Sequence, residues 1–230
     1  MKKTTLYHGS TKVIERPAFG MGNPKNDYGL GFYCTENLEL AKEWASTEKS
    51  DGFANQYEIN TEGLNILHLN DRPYHILNWL SILLQNRTFV LSQGLPLEAR
   101  EYLLKNFLPE YEQYDLIVGY RADDSYFAFA NAFLNNTISL EQLGKAMLLG
   151  KLGEQVVLKS EKAFSHLTFL DCIPVDSSLY YPKRMARDHQ AREDFQNEKN
   201  LVPAADAIYM IDILRQKWTN DDPRLQPIVP

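Results

Sequence analysis

The chain has 230 residues, 44% of them hydrophobic, which is enough for one large domain, or a domain with an appendage, around a full core. A net charge of -6 and a pI near 5.4 argue against affinity for nucleic acid through a broad basic surface, while leaving room for a small local site. Cys34 and Cys172 fit no metal or disulfide pattern, MKKTTLYHGS lacks the apolar core of a secretory signal, and no apolar run reaches the ~18 residues of a membrane span. The expectation is a soluble, cytoplasmic protein without a metal.

In chain order, Thr4 to Tyr7 reads as a short strand ending at His8-Gly9-Ser10, and residues 16–31, rich in Gly and Pro, as a loop. Thr35 is placed to cap a helix whose buried face is Leu38, Ala41, Trp44 and Ala45. Gln56–Asn60 and Asn65–Leu69 read as strands around the Glu62-Gly63 turn, and residues 73–107 as helix broken near Gly94 and Pro96. Leu116–Val118 is a buried strand ended by Gly119. Two helices follow, the second opened by a Ser139/Gln142 capping box and ended by Gly150 and Gly153. Gln155–Lys159 is a strand, Glu161–Ser165 a short helix, and Leu167–Val175 a strand. Strands scattered among helices favour α+β over a doubly wound sheet.

Beyond Pro174 the chain becomes polar. Residues 181–230 hold eight Lys and Arg against eight Asp and Glu, so the net charge resides in residues 1–180. Lys183, Arg184, Arg187 and Arg192 read as a solvated helix face. In AIYMIDIL, residues Ile208, Ile211 and Leu214 recur at helical spacing and need cover. The expected division is a core at 1–178 and a helical extension at 179–230, packed on the core or on a partner.

Three stretches stand out: YHGS (Tyr7–Ser10) at a strand end, GLGFYCT (Gly29–Thr35) before a helix, and Glu154-Gln155 at the mouth of an apolar strand. Each alone is ordinary structure; their order and context together carry the signal. His8, Tyr33 and the Glu154-Gln155 strand resemble the H-Y-E version of the ADP-ribosyltransferase fold, shared by diphtheria-type toxins and poly(ADP-ribose) polymerases. More narrowly, LYHGS, the NDYGLGFYCT loop, YDLIVGYRADDSYF and the EQVV strand resemble the bacterial DUF3990 family over about residues 4–175. The resemblance implies two small packed sheets around an NAD cleft, with helical insertions. It also implies cleavage of NAD, transfer of ADP-ribose to a protein, nucleic-acid or small-molecule acceptor, and a small antitoxin-like partner.

By this resemblance His8 holds an adenosine-ribose hydroxyl, the backbone of Gly9 grips the nicotinamide amide with Ser10 beside it, and Tyr33 stacks on the nicotinamide ring. The third position is a carboxylate in the H-Y-E pattern. Glu154 supplies that charge, but Gln155 matches this branch and precedes Val156-Val157-Leu158. A strand sends the two to opposite faces, so one of them looks into the cleft, with Gln155 preferred. A glutamine orients the ribose hydroxyl without a negative charge, which must then come from elsewhere. In RADDSYF, one reading places Arg121 near a phosphate, or Asp123 and Asp124 near the acceptor, and the other is a solvated turn with Asp124 as cap; for Asp27, contact with the cofactor and shaping of its turn are both open, with the turn preferred. An NAD glycohydrolase and a catalytically silent NAD-binding or interaction module remain as alternatives on the same fold.

Overall fold

The computed structural model describes residues 2–121, 124–146, 148–149 and 153–225. Among them the chain is α+β, with two small sheets and eight helices. Strands β1 (Lys3–Ser10), β3 (Gly52–Asn60) and β7 (Leu167–Val175) form one antiparallel sheet in the order β1-β3-β7. The second sheet, in the order β2-β6-β5-β4, holds β2 (Phe32–Cys34), β4 (Ile66–His68), β5 (Leu116–Tyr120) and β6 (Glu154–Leu158), with only β4 and β5 parallel.

The sheets meet edge to edge. Tyr7 N–H donates to the Thr35 carbonyl at 2.8 Å, and Thr35 N–H returns the bond to Tyr7 at 2.9 Å. Thus β1 and β2, each an edge strand, join at one residue pair and then diverge, and the divergence opens a cleft. Thr35 is committed to this seam. The side chain that caps α1 (Leu38–Ala45) belongs instead to Asn37, whose Oδ1 accepts from Leu40 N–H at 3.2 Å.

The larger core lies on the second sheet, under α2 (Ile76–Asn86), α3 (Leu95–Asn106), α4 (Asp124–Leu134) and α5 (Leu140–Ala146). The Ser139/Gln142 capping box forms as the sequence implies, with reciprocal bonds of 2.9 and 3.2 Å. After the short α6 (Glu161–Ser165) and β7 comes α7 (Ser177–Asn200), a mostly polar helix that buries Ala191 and Phe195. Next, α8 (Met210–Arg215) inserts Met210 and Ile213, with Trp218 behind them. Ile208, Ile211 and Leu214 are only half-buried, so the inward stripe is displaced from the one read off the sequence.

Contact between α1 and α7 runs through charge. Glu43 is buried in α1, where the sequence favoured Trp44, and accepts from Arg187 Nε at 2.8 Å and Nη2 at 2.6 Å. The pair is bidentate, with its Glu43 end buried, so it fixes the azimuth of α7 as well as its proximity.

Candidate functional site

The site lies at the seam. His8 and Gly9 come from the end of β1, Tyr33 from β2, Trp44 from α1, Gln155 from the start of β6 and Arg121 from the end of β5; together they line a cavity of about 110 Å³. A larger cavity of about 350 Å³ shares Tyr33, Trp44, Arg121 and Gln155 and extends under α7.

His8 Nδ1 lies 2.7 Å from the Tyr33 carbonyl, an acceptor, so Nδ1 carries the proton and Nε2 is the ring's acceptor. Burial lowers the His8 pKa, the hydrogen bond to Tyr33 opposing it and Arg121 adding to it, which keeps the ring neutral at pH 7. The imidazole also stacks on Phe32 with centroids 4.4 Å apart. Its position is therefore set by both strands of the seam.

Gly9 has two jobs, one of which the sequence did not reveal. A Cβ there would overlap the Ala41 carbonyl oxygen and lie 2.8 Å from Ala45 N, so the missing side chain lets α1 pack on β1. Because Tyr7 turns its peptide groups toward Thr35, strand alternation turns those of Gly9 to the same side, away from β3 and toward the cleft. Ser10 is not brought to the cavity. It ends β1, and its Oγ accepts from Lys12 N–H at 3.2 Å.

Tyr33 is held by its own loop: its hydroxyl donates to Gly29 O at 2.6 Å and accepts from Tyr28 N–H at 3.1 Å. Burial raises its pKa far above the ordinary value, so the phenol stays protonated. Behind the loop, Lys159 Nζ donates to Tyr28 O at 2.5 Å and Leu30 O at 2.6 Å. Gly29, at φ 72°, makes the turn, whereas Gly31 gives room for β6, since a Cβ there would meet Val157 at 2.6 Å.

The strand alternation separates Glu154 from Gln155. Glu154 is exposed and accepts a hydrogen bond from Asn70 outside the cavity; Gln155 is 3% exposed and lines both cavities. Gln155 Nε2 donates to Asp27 Oδ2 at 3.1 Å and to the Tyr120 carbonyl at 3.2 Å. Both amide hydrogens are thereby used, which fixes the flip of the amide and leaves Oε1 as its acceptor. Asp27 does more than shape a turn. It is 6% exposed, lines the larger cavity, and sits 3.6 Å from Arg87 Nε, an ion-pair distance too long for a hydrogen bond. The turn was the preferred reading of Asp27 over contact with the cofactor, because an Asp before a glycine-rich turn has an ordinary local explanation.

The wall contributed by α7 corrects another expectation. Arg184 and Arg192 are not simply a solvated face, because both line the larger cavity with Met185 and Asp188, and Arg187 binds Glu43. Arg121 and Arg184 each place a guanidinium carbon 3.9 Å from the Trp44 ring centroid. Asp123 lies outside the described residues, as does the side chain of Asp124. Among the described residues no cluster of His, Cys, Asp and Glu has a metal-binding arrangement, and no helix is long and apolar enough to cross a membrane.

The arrangement is a cleft at a two-sheet seam, with a neutral histidine, an outward-turned backbone, a clamped aromatic and a charge-backed amide. The chain belongs to the family described as "Protein of unknown function (DUF3990)", which it matches over residues 4–169. No curated protein and no solved structure matches it.

Proposed function

We propose that the protein is an NAD-dependent mono-ADP-ribosyltransferase of the H-Y-E/Q type, acting as a bacterial toxin restrained by a small partner protein. The observation that carries the reading is the convergence of His8, Gly9, Tyr33 and Gln155, from three separated stretches, on one cavity at the meeting edges of two small sheets.

The reaction breaks the bond between nicotinamide and ribose. Nicotinamide leaves with the bonding electrons, and an acceptor nucleophile takes its place on the ribose. Such a transition state develops positive charge on the sugar and asks for orientation and a negative field more than for a strong base. His8 Nε2 accepts from an adenosine-ribose hydroxyl. Gly9 offers N–H and C=O to the carboxamide, and the Tyr33 ring stacks on nicotinamide. Gln155 Oε1 accepts from the 2′-hydroxyl of the reacting ribose. The charge missing from Gln155 stands one hydrogen bond behind it in Asp27, which polarises the amide toward Oε1. Arg87, near Asp27, opposes that field.

The test is incubation of the protein with labelled NAD and cell extract. Label is expected on protein or nucleic acid, with Tyr33→Ala lowering turnover roughly 10- to 10³-fold while the variant remains folded at a lowered melting temperature, since it loses the two hydrogen bonds of the Tyr33 hydroxyl. Release of free ADP-ribose alone would make it a glycohydrolase, and no consumption of NAD a silent module. Expression is expected to arrest bacterial growth, and equally abundant Tyr33→Ala to relieve it.

A further inference from the structure

We infer that the larger cavity is an anion site holding the diphosphate of the dinucleotide, and that Arg184 of α7 completes it. The inference rests on the reading of NAD as substrate. It adds a binding residue from outside residues 4–169, the stretch that the family match covers.

The cavity beside Gln155 carries four arginines, Arg87, Arg121, Arg184 and Arg192, against two aspartates, Asp27 and Asp188. This excess of positive charge sits in a protein of net charge -6, so it is a local feature. The arginines are held in different ways. Arg192 is tied to Asp188 at 2.9 Å, and Arg87 stands between Asp27 and the Phe127 ring, 4.5 Å from its centroid. Arg121 and Arg184 both lie over the Trp44 ring. For Arg184, a guanidinium over an aromatic ring presents its N–H edges for planar contact with phosphate oxygens, an arrangement lysine cannot reproduce. Among the described residues Arg184 has no carboxylate partner.

The volume, about 350 Å³ beneath a helix, suits part of a small ligand and not a nucleic-acid strand. The cavity also adjoins the smaller one through Tyr33 and Gln155, so a ligand with its ribose at Gln155 has its phosphates within reach of Arg121 and Arg184.

Calorimetric titration of the intact chain with NAD, ADP, inorganic pyrophosphate and nicotinamide riboside tests this. Arg184→Gln is expected to weaken ADP and pyrophosphate roughly 10- to 100-fold, the scale of a lost charge-assisted contact, and to leave the riboside unchanged. Arg184→Lys, which keeps the charge without the plane, should fall between, and Lys183→Ala, exposed one residue away, should match the wild type. ADP and pyrophosphate binding unchanged in Arg184→Gln overturns the role of α7 while leaving the NAD reading intact. Arg184-dependent pyrophosphate binding without any NAD binding sinks the NAD reading and keeps the anion site. Equal loss of the riboside in a variant with an unchanged melt means that Arg184 shapes the whole cleft, and also overturns the inference.

Discussion

Replacing Gln155 by glutamate puts a carboxylate where the H-Y-E pattern has one, but the surroundings make the change costly. Gln155 Nε2 is 3.1 Å from Asp27 Oδ2 and 3.2 Å from the Tyr120 carbonyl. In Gln155→Glu, an oxygen takes that place and faces two acceptors. Two unit charges at that separation repel by roughly 5 kcal/mol at an effective dielectric of about 20. Keeping one carboxyl protonated is cheaper. With a reference pKa of about 4.3 and 1.36 kcal/mol per unit, the cost is about 4 kcal/mol at pH 7 and about 1 kcal/mol at pH 5. The pair therefore shares one proton. Its raised folded-state pKa means that the shared-proton form is stable near pH 4 and that stability is lost as pH rises toward 7. Urea unfolding at both pH values is the assay. The double variant Asp27→Asn/Gln155→Glu should recover most of the loss, because the amide in place of the Asp27 carboxylate removes the like charge and brings a donor. Wild-type stability of Gln155→Glu at pH 7, or a deficit that does not shrink at pH 5, would refute the Gln155–Asp27 contact and with it the charge-backed amide.

Arg187→Ala leaves the Glu43 carboxylate, 5% exposed, without its partner and should cost toward the low end of roughly 3–5 kcal/mol, since Arg187 itself is 29% exposed. Amide exchange along α7 should quicken, and Glu43→Gln should restore stability to the Arg187→Ala background. Burial lowers the His8 pKa from its ordinary 6.5, so the unfolded chain takes up the proton first as pH falls. Stability should drop below about pH 6.5 and level off once the folded pKa is passed. His8→Gln should reduce that slope without abolishing it, because burial lowers the pKa of His75 as well, as urea midpoints from pH 5 to 8 will show.

The local signals were legible: the YHGS strand end, the capping box at Ser139 and the alternation that turns Gln155 inward each depend on neighbours in the chain. Strand β2 was not read as a strand, because three residues carry too little periodicity; its pairing with β6 defines it. Asn37 displaced Thr35 as the helix cap because Thr35 is consumed by a contact to Tyr7 that no local pattern encodes. The same holds for Asp27 and the α7 arginines. In isolation they are a turn acid and a polar helix face, and only the contact across the fold gives each its place in the cavity. In α8, helical spacing was read correctly but phase was not, since Met210 and Ile213 lie one position from the chosen stripe.

The seam has a temporal meaning. Asp27 meets Gln155 across 128 residues of chain, and Glu43 meets Arg187 across 144. At a synthesis rate of about 5–20 residues per second, roughly 7–30 s separate the emergence of the two members of the longer pair from the ribosome. Until β6 emerges, β2 has no partner and the cleft has no amide, and until α7 follows the cleft has no α7 wall. A nascent chain thus lacks the assembled cleft by topology alone, a built-in delay between the appearance of its first wall and its last.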